Sequence, residues 1–144
     1  MFGPKVDQAY SAYSNTGVNK AIFTNTMTNV SYLYANCKNI TTAVVPPSQV
    51  TSMSGLYSGC SNITEAVFSE TPMAIDWAYS ETNVSEAIVP IWANSINGLY
   101  NGCSRLKKAV CPADVLSMQR AYSNCDNLTE GVCGEKVNDM QYAY

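Results

Sequence analysis

The stretch "GLYSGCSNITEAVF" (55–68) is written again as "RAYSNCDNLTEGVC" (120–133), with most positions matched in size or chemistry. Aligning on its aromatic residue gives a column of Tyr13, Tyr34, Tyr57, Tyr79, Tyr100, Tyr122 and Tyr144, spaced 21, 23, 22, 21, 22 and 22 residues apart. Seven of the ten tyrosines share this column, so the chain is an internal repeat and has to be read as one before any local structure is assigned.

Further columns fall into line around the tyrosine. Four residues before it stand Val30, Met53, Ile75, Ile96, Met118 and Met140; three after it, Thr16, Cys37, Cys60, Thr82, Cys103 and Cys125. A small residue (Ala21, Ala43, Ala66, Ala87, Ala109, Gly131) precedes a β-branched one in every copy: Ile22, Val44, Val67, Ile88, Val110 and Val132. The two copies with Thr in place of Cys, "YSNTGV" (13–18) and "YSETNV" (79–84), are each one residue shorter at that point, so the repeat has two turn variants.

A unit of about 22 residues cannot bury its own apolar face and has to stack on its neighbours as coils of a solenoid. Strand pairing between coils would set them about 4.8 Å apart. The Val- and Ile-rich segments such as "EAV" and "KAV" are the expected parallel strands. The "MSGLYSGC" segment, apolar at steps of three and four, is expected to form a short helix or 3₁₀ turn. Tyr is expected to fill the core with its hydroxyl at a partner or the rim. Cys acts as a small hydrophobe, and Asn39, Asn62 and Asn127 hold turn backbone.

"LYSGCSNITEAV", "AYSNTGVNKAIF" and "VVPPSQVTSM" together resemble the BspA-type leucine-rich-repeat family. That family alternates a longer Cys turn with a shorter Asn-Thr-Gly turn and often follows the strand with Pro, a place held here by Pro46, Pro90 and Pro112. Its usual aromatic is Phe; this chain has Tyr throughout. The expected fold is a single leucine-rich-repeat solenoid over residues 1–144, with about six coils of 21–23 residues, one narrow parallel sheet and short helical or 3₁₀ turns. The resemblance implies non-enzymatic recognition or attachment, binding protein or glycan, on a cell surface or a virion. The other reading is a structural or decoration subunit whose task is assembly.

Composition narrows the chemistry. Charged residues are 13% of the chain and its net charge is −3. The only basic run, Arg105-Leu106-Lys107-Lys108, is too short to follow a phosphate track, so neither nucleic acid nor an anionic membrane is an expected partner. No apolar run approaches 18 residues, so no membrane insertion is expected. The opening "MFGPKVDQAY" has no basic stretch followed by an apolar core, hence no signal peptide, which tilts the expectation toward a virion. There is no His, which removes Ser-His-Asp, Cys-His and His-metal sites together. No phosphate-binding glycine motif occurs. No catalytic residue, metal or cofactor is therefore expected.

Three features invite sharper readings. Cys37/Cys60, Cys103/Cys125 and Cys111/Cys133 are column neighbours in adjacent coils, so buried thiols, disulfides and a thiolate metal site all compete, with buried thiols preferred. Sequons at Asn29, Asn39, Asn62, Asn83 and Asn127 are written by the repeat itself. The β-branched column faces either out or in, depending on strand phase, with a slight preference for the core. Facing outward, Thr42, Val44, Glu65, Val67, Glu86, Ile88, Lys108, Val110, Glu130 and Val132 form the candidate binding face, an apolar ladder beside a charged one. The chain stops at "QYAY" in mid-repeat, and its first ten residues make half a coil. Tyr142 and Tyr144 are accordingly the candidate interface for self-association or partner docking at an uncapped end.

Overall fold

The computed structural model describes residues 3, 5–71 and 73–144. The half-coil reading of residues 1–10 lies partly outside them.

The repeat period becomes a stack of coils around one continuous apolar core. The core is built from the columns themselves. Val30, Met53, Ile75, Ile96 and Met118 line one row, Leu33, Leu56, Ala78, Leu99 and Ala121 the next, and Ile40, Ile63, Val84 and Leu106 a third, all fully buried. Each buried aliphatic side chain contributes about 1.5–3 kcal/mol relative to exposure. Through the middle runs the tyrosine column. Its rings follow one another at 5.9, 6.2, 5.6, 6.3, 5.9 and 6.1 Å between centroids, most of them nearly parallel. Stacked aromatic pairs add about 0.5–1.5 kcal/mol beyond their area.

The backbone departs from the expected secondary structure. Among the described residues there is no helix, and strand pairing is confined to isolated bridges. Most of the bridges lie five positions before the tyrosines, joining Gln8, Asn29, Ser52 and Ala74 in one series and Ser95, Ser117 and Asp139 in another. In the "EAV" column, where strands were expected, the one bridge is Lys108 with Glu130.

The expected helical turn is replaced by consecutive β-turns. In the coil anchored by Tyr34, the N–H groups of Leu33, Ala35 and Cys37 donate to the carbonyls three residues back, at 3.1 Å each. The intervening N–H groups of Val30, Tyr32, Tyr34 and Asn36 donate instead to Ser52, Leu56 and their neighbours in the next coil, at 2.6–3.1 Å. In this turn backbone N–H groups alternate between partners within the coil and across it, and the Ser31 N–H is taken by Asn29 Oδ1 at 2.9 Å. This zigzag requires positive φ at every fourth residue, two positions either side of the tyrosine. Gly55 and Gly59, Gly98 and Gly102, and Asn36 and Asn124 supply it. A helix cannot accommodate these reversals, although apolar residues at steps of three and four are common to both arrangements.

Candidate recognition surface

The tyrosine hydroxyls determine the far flank of the coils. From Tyr34 to Tyr122 each lies against the backbone of the β-branched residue 12 or 13 positions earlier and serves it twice. Tyr34 donates to the Ile22 carbonyl at 2.6 Å while the Ile22 N–H donates to Tyr34 at 2.8 Å. Tyr57 pairs with Val44 at 3.0 Å in both directions, and Tyr79 with Val67 at 2.7 and 2.9 Å. Tyr100 does the same to Ile88 and Tyr122 to Val110, while Tyr144 donates to the Val132 carbonyl. The hydroxyl replaces a strand neighbour that this flank lacks. That is the physical reason for Tyr where the family commonly has Phe, because a phenylalanine would leave a buried-side N–H and C=O unpaired.

With their backbones held from inside, the β-branched side chains point outward. Ile22, Val44, Ile88, Val110 and Val132 are exposed, at 51, 37, 50, 36 and 49%, and Val67 is half-buried. The slight preference for a core position is therefore corrected. Val45, the next residue, is exposed as well, whereas Val89 and Cys111 at the same position are buried, so in-out alternation holds in some coils and not in others. Thr42, Glu65, Glu86, Lys108 and Glu130 form an exposed row alongside. Lys108 and Glu130 pair at 3.2 Å, both largely solvated, a contact worth at most about 1 kcal/mol. Between the two rows lie shallow polar hollows, one bounded by Thr64, Glu65, Ser85 and Glu86. Beyond the ladder an apolar groove of about 590 Å³ is lined by Val45, Val67, Phe68, Ile88, Ile91 and Trp92. The sequence reading did not find this groove. Its signal was the pair of aromatics in adjacent coils, Phe68, at a position shared by Phe23 and smaller residues elsewhere, and Trp92.

The cysteines serve the stack. All six are free, and five are buried. Cys37, Cys60, Cys103 and Cys125 donate S–H to the tyrosine carbonyl of the preceding coil at 2.9, 3.1, 3.1 and 3.2 Å. In the shorter turns, Thr16 and Thr82 donate instead to the tyrosine carbonyl of their own coil, at 2.6 and 2.8 Å. Burial pushes the Cys60 and Cys125 thiols up to about 12, so they are neutral at physiological pH and poor nucleophiles. Asn39, Asn62 and Asn127 bind turn carbonyls of the preceding coil, at 3.1, 2.7 and 2.6 Å. Among the described residues no group of three or more His, Cys, Asp or Glu side chains is placed to hold a metal, and no helix is long and apolar enough to cross a membrane.

Tyr142 and Tyr144, the candidate end interface, are both exposed, and Arg120 lies over the Tyr142 ring at 5.5 Å.

No curated protein and no solved structure matches the chain. The sequence model of the BspA type leucine rich repeat region matches in six copies, over residues 8–98 and 29–144. Repeats of this kind are commonly surface or adhesion modules and typically non-enzymatic. With its period, its Cys and Thr turn variants and its stacked coils all on that pattern, the chain belongs to the BspA-type leucine-rich-repeat family.

Proposed function

We propose that the protein is a non-enzymatic attachment module of a virion or cell surface that engages protein or glycan through its outer ladder. The observation that carries this reading is the exposed apolar row from Ile22 to Val132, one β-branched side chain per coil, flanked by a charged row. Such a surface has no folding role of its own, because the tyrosine hydroxyls already satisfy the backbone beneath it. Contiguous exposed apolar surface ordinarily marks a contact site. Localisation on a virion or cell surface is drawn from the family's habit.

The test is binding of the labelled chain to immobilised extracellular-matrix proteins and to a glycan array, with a Val67→Asp/Val110→Asp variant alongside. Loss of binding in the variant with an unchanged melting temperature is the expected result. Binding that ignores the variant would remove the ladder from the site. Light scattering on the same samples separates attachment from assembly: concentration-dependent multimers abolished by the same pair of substitutions would make the ladder a self-association surface instead.

A further inference from the structure

A second row lies on the opposite flank, from which the core tyrosines spring. Two positions before them stand Tyr32, Gly55, Trp77, Gly98 and Arg120, with φ of 54, 62, 62, 59 and 53°. This left-handed geometry is natural for glycine and costs a bulky L-residue about 1–2 kcal/mol. Gly55 and Gly98 show that the fold accepts glycine here, yet the same row carries aromatics at three coils, Tyr32, Trp77 and Tyr142, the last with φ of 54°. Strain retained at bulky residues is a pointer to function.

The rings are firmly seated. A Cβ on Gly55 would meet Cε1 of Tyr32 at 2.2 Å, and one on Gly98 would meet Cδ2 of Trp77 at 2.2 Å. Each aromatic therefore lies directly against the bare backbone of the next coil, half-exposed. Tyr10, exposed, meets the edge of Tyr32 at 5.8 Å.

Polar groups are fixed beside them. Asp76 accepts from Ser95 Oγ at 2.7 Å and from the Asn97 N–H at 3.0 Å, both through Oδ1. Asn97 repeats the device one coil on, its Oδ1 accepting from Ser117 Oγ at 2.7 Å and the Gln119 N–H at 2.8 Å. Both side chains are thereby locked, while Asp76 Oδ2 and Asn97 Nδ2 take no partner among the described residues. Asp76 precedes Trp77 and Asn97 precedes Gly98, on which the ring rests, so one locked acceptor and one locked donor belong to the same two coils as the indole.

An aromatic face next to fixed hydrogen-bonding groups is the chemistry that holds a pyranose: the sugar's C–H face lies on the ring and its hydroxyls bridge the carboxylate and the amide. Tyr32 and Trp77 are two coils apart, on the order of 10 Å, close to the disaccharide repeat of an extended, equatorially linked chain. We propose that Tyr32, Trp77, Asp76 and Asn97 form a binding row for a linear, equatorially linked polysaccharide running across the coils. This deepens the attachment reading, on which it rests, but assigns the glycan to the flank away from the ladder.

The experiment uses a Trp92→Phe chain, in which Trp77 is the one remaining indole. Cellohexaose and chitohexaose are titrated against its emission, with maltohexaose as the axially linked control. Saturable change with a β-linked hexasaccharide and not with maltohexaose is expected, at least tenfold weaker in Asp76→Asn. That substitution keeps the Oδ1 clamp and alters only the unpartnered atom, so it tests the row without threatening the fold. Trp77→Ala should abolish binding, followed by calorimetry, and Trp77→Tyr should retain it. Val67→Asp should leave it unchanged. No response to either β-linked hexasaccharide at millimolar concentration overturns the row, as does binding indifferent to Asp76→Asn and Trp77→Ala. Hexasaccharide binding lost in Val67→Asp moves the glycan to the ladder. Protein attachment lost in the ladder variant while hexasaccharide binding persists leaves both readings standing.

Discussion

The two flanks of each coil solve the same problem by different means. On the flank of the turns, the backbone closes on backbone, alternately within the coil and across to the next. On the flank of the ladder, a single tyrosine hydroxyl closes both polar groups of one residue per coil from the inside. The first arrangement constrains its own side chains through positive φ. The second leaves its outward side chains without structural duty, which is what a variable contact surface requires.

The largest test of this contrast is pH. Burial raises the hydroxyls of Tyr34, Tyr57, Tyr79, Tyr100 and Tyr122 above their ordinary value. Tyrosines of the unfolded chain ionise near pH 10 and those of the folded chain higher. Their stabilisation is therefore complete below about pH 10 and is lost as pH rises beyond it. Each such group removes up to about 1.4 kcal/mol per pH unit in that range. The buried thiols of Cys60 and Cys125, pushed up to about 12, begin to cost stability above the ordinary thiol value of about 8.5. The urea midpoint should therefore be level between about pH 6 and about pH 8, fall gently to about pH 10 and collapse by about pH 11; a Tyr79→Phe chain should show a shallower loss above about pH 10, and an unchanged slope would show that the hydroxyls are not held as described.

Next in size, Tyr79→Phe keeps the ring in the stack but strands the Val67 N–H and C=O. At about 1–3 kcal/mol for each unpaired group, a loss of about 2–4 kcal/mol is expected in urea denaturation. A loss under about 0.5 kcal/mol would mean water replaces the hydroxyl and the two flanks do not differ as argued. On the turn flank, Gly98→Ala meets both a φ of +59° and the Trp77 ring. About 2 kcal/mol should be lost, and pairing it with Trp77→Gly should recover part of that. The smallest effect belongs to the ladder: Val110→Thr should shift stability by less than about 0.5 kcal/mol. A larger loss would give the ladder a folding role after all.

The period, the core columns and the family were legible in the sequence because stacking makes each column a row of like side chains. The path of the backbone within the period was not. Val30, Leu33, Tyr34 and Cys37 face inward in a zigzag of turns, and the same spacing is that of a helix face, so periodicity does not separate the two. Glycine at 55, 59, 98 and 102 was the distinguishing signal. It was masked because Tyr32, Trp77 and Arg120 occupy the same row, and Glu81 its counterpart after the tyrosine. The direction of the β-branched column was left to strand phase, and the inward phase, slightly preferred, is the wrong one: alternation from a buried small residue such as Ala109 already points its neighbour Val110 outward. Tyrosine in every copy, where the family tolerates phenylalanine, was the residue-level sign that a hydroxyl was needed.

The tyrosine column has an optical consequence. Seven phenol rings at 5.6–6.3 Å spacing are close enough for excitation to migrate from one to the next, and Trp77 and Trp92, in the middle of the chain, are the indoles that can accept it. Indole emission excited through tyrosine should therefore be strong while the coils are stacked and fall when the stack unfolds and the rings disperse.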